Sequence, residues 1–271
     1  MPRPIERGLV KTSFGYIHYR AAGHGAPIIL LHINQQSSAL YLELMEALGT
    51  QLRAIAIDYP GHGMSDHLAT PPTIADYARC VIEVMDALAI SEASVLGEAV
   101  GAVIAIELAS AYPARVTKAV LVNCPYYKDS ATAVSRHAPL KSGLRPADAS
   151  GFPLPRTLEF LLEHDPGHAP MRPSQSWMDR VNVAQLEAGR DRWQALDALH
   201  QYDVAANLAR IACPALLLIG EHFYYVQHRE EFARRVPDLR TEIIAGARFC
   251  IAWERAADIG LRVIGFLRNA G

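Results

Sequence analysis

The chain has 271 residues, 51% of them hydrophobic and 20% charged, with 18 glycines and 17 prolines spread along it; this composition describes an ordered globular protein and excludes a disordered one. A net charge of −2 without any Lys/Arg run provides no basic field for nucleic acid or an anionic membrane, so a small-molecule partner is expected. Cys80, Cys124, Cys213 and Cys250 lack metal-ligand spacing, and with no apolar leader in MPRPIERGLV and no membrane-length apolar stretch the expectation is a cytoplasmic protein with reduced thiols.

The apolar runs PIILLH (27–32) and AIAID (54–58) open into polar, Gly- or Pro-bearing sequence and predict buried parallel strands. Between them SALYLELMEAL (38–48) has helical spacing, as does IADYARCVIEVMDALAI after Thr73, with its Asp and Glu on the opposite face. The run ASVL (93–96) passes through GEAVG (97–101) into a helix over 102–112, which is a strand, a sharp turn and a helix. Further strands are predicted at 119–122, 215–219 and 241–244. The alternation implies an α/β fold with a mostly parallel sheet flanked by helices on both faces. Residues 126–202 break it with Pro-rich loops and helix-like pieces at 157–163 and 185–199, which predicts an inserted helical cap between core segments 1–125 and 203–271.

Four segments in this order, LLHINQQSS (30–38), AIDYPGHGMSD (56–66), VLGEAVGA (95–102) and PALLLIGEH (214–222), resemble the α/β-hydrolase fold superfamily over nearly the whole chain. In that family a Gly-x-Ser-x-Gly turn holds the nucleophile on a strained elbow, and Gly97 and Gly101 supply the spacing. The resemblance places Ala99 at the nucleophile position, Phe223 at that of the acid after PALLLIG, and Phe249, in GARFCIAWE, at that of the histidine. Acyl transfer needs a nucleophile, a base and an orienting carboxylate, and none of these side chains supplies one. Asn123, where some relatives keep an alternative acid, is neutral. Glu98 is expected to fix the turn, and His32 to shape the following loop by bonding to backbone.

The N–H of Val100 and that of Ile33 or Asn34 would converge as in an oxyanion hole, although Ile33 stands where family members have glycine; Asn34, Gln35 and Gln36 add side-chain hydrogen-bonding groups. Phe223, Phe249, Tyr126, Tyr127, Tyr224 and Tyr225 predict an aromatic pocket, which Phe160, Trp177, Met178 and Trp193 of the cap would line and Arg248 would border. The candidate proton-transfer groups are His32, Tyr126 and His222. The expected ligand-binding set is Ile33, Asn34, Gln35, Val100, Tyr126, Trp177, Phe223 and Phe249, with no metal and no organic cofactor, and a homodimer is left open. The reading is a non-hydrolytic enzyme, of lyase, isomerase, cyclase or dehydratase type, acting on a small hydrophobic or aromatic carbonyl compound. Its alternatives are a catalytically silent binding or partner protein, and a hydrolase that activates water through His32, His222 or His228.

Overall fold

The computed structural model describes residues 4–127, 129–135 and 173–268. It opens with a hairpin that the apolar runs do not announce: strand β1 (Glu6–Thr12) pairs antiparallel with β2 (Gly15–Ala22). β1 is a half-exposed edge, and its charged residues weaken the period-two signal. Strands β3 (Pro27–Leu31), β4 (Arg53–Ile57), β5 (Ala93–Glu98), β6 (Val116–Val122), β7 (Ala215–Gly220) and β8 (Leu239–Ile244) complete an eight-stranded sheet in the order β1-β2-β4-β3-β5-β6-β7-β8. From β4 to β8 every neighbouring pair is parallel, and β2 joins β4 antiparallel. Strands β3, β4, β5 and β7 are almost wholly buried because helices cover both faces, as their unbroken apolar runs require.

Helix α1 (Leu42–Leu48) follows a single 3-10 turn, Ser38–Tyr41, so the predicted helix over 38–48 is two pieces. Helix α2 (Ile74–Ala87) begins at a capping box: the Thr73 hydroxyl accepts from the Asp76 N–H at 3.1 Å, and the Asp76 carboxylate accepts from the Thr73 N–H at 3.0 Å. Helix α3 (Val100–Ala111) is buried almost all round, and its mixed apolar sequence matches its position against the sheet. Within 126–202, helix α4 (Gln175–Ala188), a 3-10 turn (Gly189–Trp193) and α5 (Gln194–His200) are described. The single helical piece predicted at 185–199 is therefore the end of α4, a break at Gly189, whose φ is +49°, and α5. The piece at 157–163, with Phe160, lies outside the described residues. Short α6 (Val204–Leu208) leads to β7; α7 (Arg229–Arg235) precedes β8, and α8 (Ile251–Glu254) and α9 (Ala256–Arg268) follow it.

One apolar layer joins α2, α3 and α5 to the Ile29–Leu31 face of the sheet; the other joins α1, α8, α9 and the α4 residues Trp177, Met178 and Val181 to the Ile28–Leu30 face. All four cysteines are free thiols, and no helix among the described residues is long and apolar enough to cross a membrane.

Candidate functional site

The carboxyl ends of β3, β5, β6 and β7 meet in one region, the usual location of a ligand crevice in a parallel sheet. At its centre Ala99 turns the chain from β5 into α3 with φ 51° and ψ −115°, a conformation that costs an L-residue roughly 1–3 kcal/mol. The turn is locked by the Ala99 N–H donating to Val122 O at 3.0 Å and by Ala99 O accepting from Ala102 N–H, also at 3.0 Å. The flanking glycines are there for close approach. A Cβ on Gly97 would stand 2.0 Å from Gly101 O, and one on Gly101 would stand 1.9 Å from Leu31 O and 2.8 Å from His32 O. This contact lays the loop after β3 across the start of α3. Val100 is the first residue of α3 and no side chain caps that end, so its N–H faces out of the helix without an intrahelical acceptor.

The loop after β3 is a turn closed by Gln36 N–H donating to Ile33 O at 3.3 Å, with Gln35 at φ 65°. A left-handed third residue makes this a type II turn, in which glycine is favoured at the third position. The residue under conformational demand is thus Gln35, not Ile33. Asn34 Oδ1 and Gln35 Nε2 are both buried and have no hydrogen-bond partner. His32 anchors the turn. Its Nδ1 pairs with Ile33 O at 2.8 Å, its Nε2 accepts from the Tyr59 N–H at 3.4 Å, and burial pushes the imidazole down to about 4. With both nitrogens engaged, its lone pair is committed to backbone rather than available for proton transfer.

Beneath the elbow, Glu98 is completely buried. Its Oε1 accepts from the Ile251 N–H at 2.9 Å and from Asn123 Nδ2 at 3.4 Å, whereas Oε2 has no partner. Burial pushes the Glu98 carboxyl up to about 8. Asn123, at φ 43°, also donates to Arg248 O at 2.8 Å and accepts from the Gly220 N–H at 2.9 Å. One polar knot therefore ties together the ends of β5, β6 and β7 and the loop after β8.

That loop carries Phe249, which packs against both apolar layers and lies nearly parallel to Phe223 (centroids 6.0 Å apart, 13° between planes). Tyr225 packs edge-on to Phe223 and donates its hydroxyl to that of Tyr127 at 2.7 Å. Tyr126 is buried against His228 and Phe232, and its hydroxyl donates to Glu231 at 3.5 Å. On the other side Trp177 of α4 stacks on Trp253 at 4.4 Å; these rings share an apolar cluster with Ile33 and Met178, and Ala99 packs against it. Trp193 packs, partly buried, against the opposite layer. His222 is about half exposed beside Glu221, and Tyr224 is 45% exposed, so both stand at the rim. Ile33, Asn34 and Gln35 thus follow the Leu31–His32 backbone that lies against Gly101 at the start of α3, Phe223 and Phe249 stack on each other, Tyr126 packs on the α7 side and Trp177 on the α4 side.

A buried His18–Asp58 hydrogen bond is absent from the sequence expectations. His18 Nδ1 meets Asp58 Oδ2 at 2.8 Å, and Asp58 also accepts from the Ser38 and Met64 N–H groups. Burial alone would raise the Asp58 carboxyl, but His18 and these N–H donors bring it down to about 2. The recoverable signal was an Asp closing an apolar run before the turn PGHG; His18 lay in the unpredicted strand. Among the described residues no group of three or more His, Cys, Asp or Glu side chains is placed to hold a metal.

A family model described as alpha/beta hydrolase fold matches residues 26–256. The chain is 25% identical over 279 residues to 2-hydroxy-6-oxo-6-phenylhexa-2,4-dienoate hydrolase of Comamonas testosteroni, covering 93% of this chain and 91% of that protein. It is 26% identical to carboxylesterase YbfK of Bacillus subtilis, over 98% of this chain and 89% of that one. Two other relatives are matched over only 42% and 40% of their own lengths. Among solved structures, the enol-lactonase from Burkholderia xenovorans superposes with a TM-score of 0.76 at 23% identity, covering 97% of this chain and 100% of that one. The strained elbow, the parallel sheet and the extent of the family match lead to one conclusion: the chain belongs to the alpha/beta hydrolase fold family.

Proposed function

We propose that this chain is a non-hydrolytic member of its family, acting on a small hydrophobic or aromatic carbonyl compound held against the elbow. The carrying observation is that Ala99 keeps the strained elbow geometry while presenting only a methyl group. Strain of this kind is retained where a site depends on it. The geometry still aims the Val100 N–H outward, where it stabilises a carbonyl oxygen or developing oxyanion, and the Phe223–Phe249 stack supplies a dry apolar wall. Neither phenyl ring can take a proton or orient an imidazole, so the positions that would complete a serine triad work here by shape. The chemistry that fits is orientation and polarisation of a bound carbonyl leading to isomerisation, elimination or cyclisation. Curated relatives named as hydrolases of a phenylhexadienoate and of carboxylesters support a carbonyl-bearing ligand.

A second reading, a silent binding protein, is favoured by one observation: both ring nitrogens of His32 are committed to backbone, which removes one candidate proton-transfer group. The experiment is product analysis by mass spectrometry of aromatic ketones and lactones incubated with the purified chain, alongside p-nitrophenyl ester assays of the native protein and Ala99→Ser. The non-hydrolytic reading expects an isomeric or eliminated product and no ester turnover from either protein. Ligands recovered unchanged decide for the binding protein, and ester hydrolysis by the native chain that survives repurification refutes both.

A further inference from the structure

The turn after β3 combines two costly features. Gln35 occupies a left-handed position in which glycine would sit without strain, with φ 65°. Its residue is only 5% exposed, yet its amide nitrogen has no acceptor, and the neighbouring Asn34 Oδ1, also buried, has no donor. Buried polar groups left unpaired are uncommon in native proteins and weaken the fold. A turn serving only to connect β3 to α1 would lose nothing by carrying glycine and an apolar side chain here. Both residues follow the Leu31–His32 backbone that lies against Gly101, and Ile33, just before them, packs in the apolar cluster against which Ala99 rests.

We infer that Asn34 and Gln35 are an acceptor–donor pair that recognises a carbonyl flanked by N–H or O–H, and so select lactams, carboxamides or enolised 1,2-diketones over plain ketones and esters. The inference rests on the carbonyl-binding reading above and narrows its ligand class. The Gln35 amide donates to the ligand carbonyl, sharing it with the outward N–H of the elbow helix, while Asn34 Oδ1 accepts the ligand's N–H or O–H. An ester or simple ketone satisfies the first bond and leaves Asn34 unpaired, which is the type of mismatch that polar sites reject most effectively.

The test uses three bicyclic probes of nearly equal shape: α-tetralone, a ketone; isochromanone, a lactone; and dihydroisoquinolinone, a lactam. Each is titrated against the native full-length chain with ligand-detected NMR. One additional neutral hydrogen bond should make the lactam bind about five- to tenfold more tightly than the other two. Asn34→Leu should erase that preference while leaving α-tetralone binding in place. If Asn34→Leu does not fold, Gln35→Glu, similar in size but an acceptor instead of a donor, should weaken the binding of all three probes, whose carbonyl it no longer serves, while the lactam preference carried by Asn34 survives; unchanged affinity for all three overturns the pairing. Equal affinity of the native chain for all three probes overturns the pairing and assigns the two amides to water, with the carbonyl site still standing. Failure of all three to bind overturns the pairing and the carbonyl site together.

Discussion

Glu98 lets the energetics of the elbow be tested without knowing the ligand. The folded protein holds its carboxyl proton up to about pH 8, because burial penalises the charged form, while the unfolded chain releases it near its ordinary value of 4.5. A folded-state pKa above the unfolded one means that folding takes up a proton between these values. The contribution is therefore fully present below about pH 4.5, declines through the window and is flat above about pH 8. At about 1.4 kcal/mol per pH unit the gap corresponds to about 5 kcal/mol, a large share of a domain's total stability. Glu98→Gln is the neutral isostere: its carbonyl can still accept from the Ile251 N–H, and it cannot titrate. Urea unfolding of both proteins from about pH 5 to about pH 9 should show the variant gaining on the native chain by up to about 5 kcal/mol, then a plateau. A stability difference that does not change with pH would refute the reasoning, since it would mean that the carboxyl reaches water or a compensating cation.

Three further outcomes follow from the same geometry. Gly101→Ala should cost about 3 kcal/mol by chemical denaturation, because the new Cβ would stand 1.9 Å from a backbone oxygen that cannot rotate away. The Asp58 carboxyl is held at about 2 against an ordinary 3.8, so its contribution is present above about pH 4 and is lost as pH falls towards 2. The stability gap between the native protein and Asp58→Asn should therefore narrow by about 2–3 kcal/mol over that range, read by acid-dependent denaturation. Gln35→Gly should raise the melting temperature, since relieving a left-handed side chain is worth about 1 kcal/mol, while weakening the binding of all three carbonyl probes; unchanged affinities would separate the strain from recognition.

The chain's alternation of apolar runs and amphipathic segments was enough to identify the parallel strands, the strand–turn–helix at Gly97–Gly101 and Ala99 as its apex, because buried parallel strands and close-approach glycines leave local signatures. The β1–β2 hairpin left a weaker trace: one strand is a half-exposed edge, and its partner's pattern is blurred by polar residues such as His18 and Arg20. The break at Gly189 was hidden within a continuous helical periodicity. At the site, residue identities were legible and their relations were not. Sequence placed Phe223, Phe249, Glu98 and Asn123 tens to more than a hundred residues apart; only the convergence of strand ends stacks the two phenyl rings and ties Glu98 to Ile251 and Asn123. Likewise, the demand for a left-handed residue fell on Gln35 rather than Ile33 because the path of the loop across α3 sets its dihedral angles. The sequence by itself determined which side chains the elbow region contains, since composition and local periodicity are properties of the chain. The tertiary structure decided which polar atoms are left without partners, because hydrogen-bond satisfaction and burial depend on contacts that form only when distant segments meet.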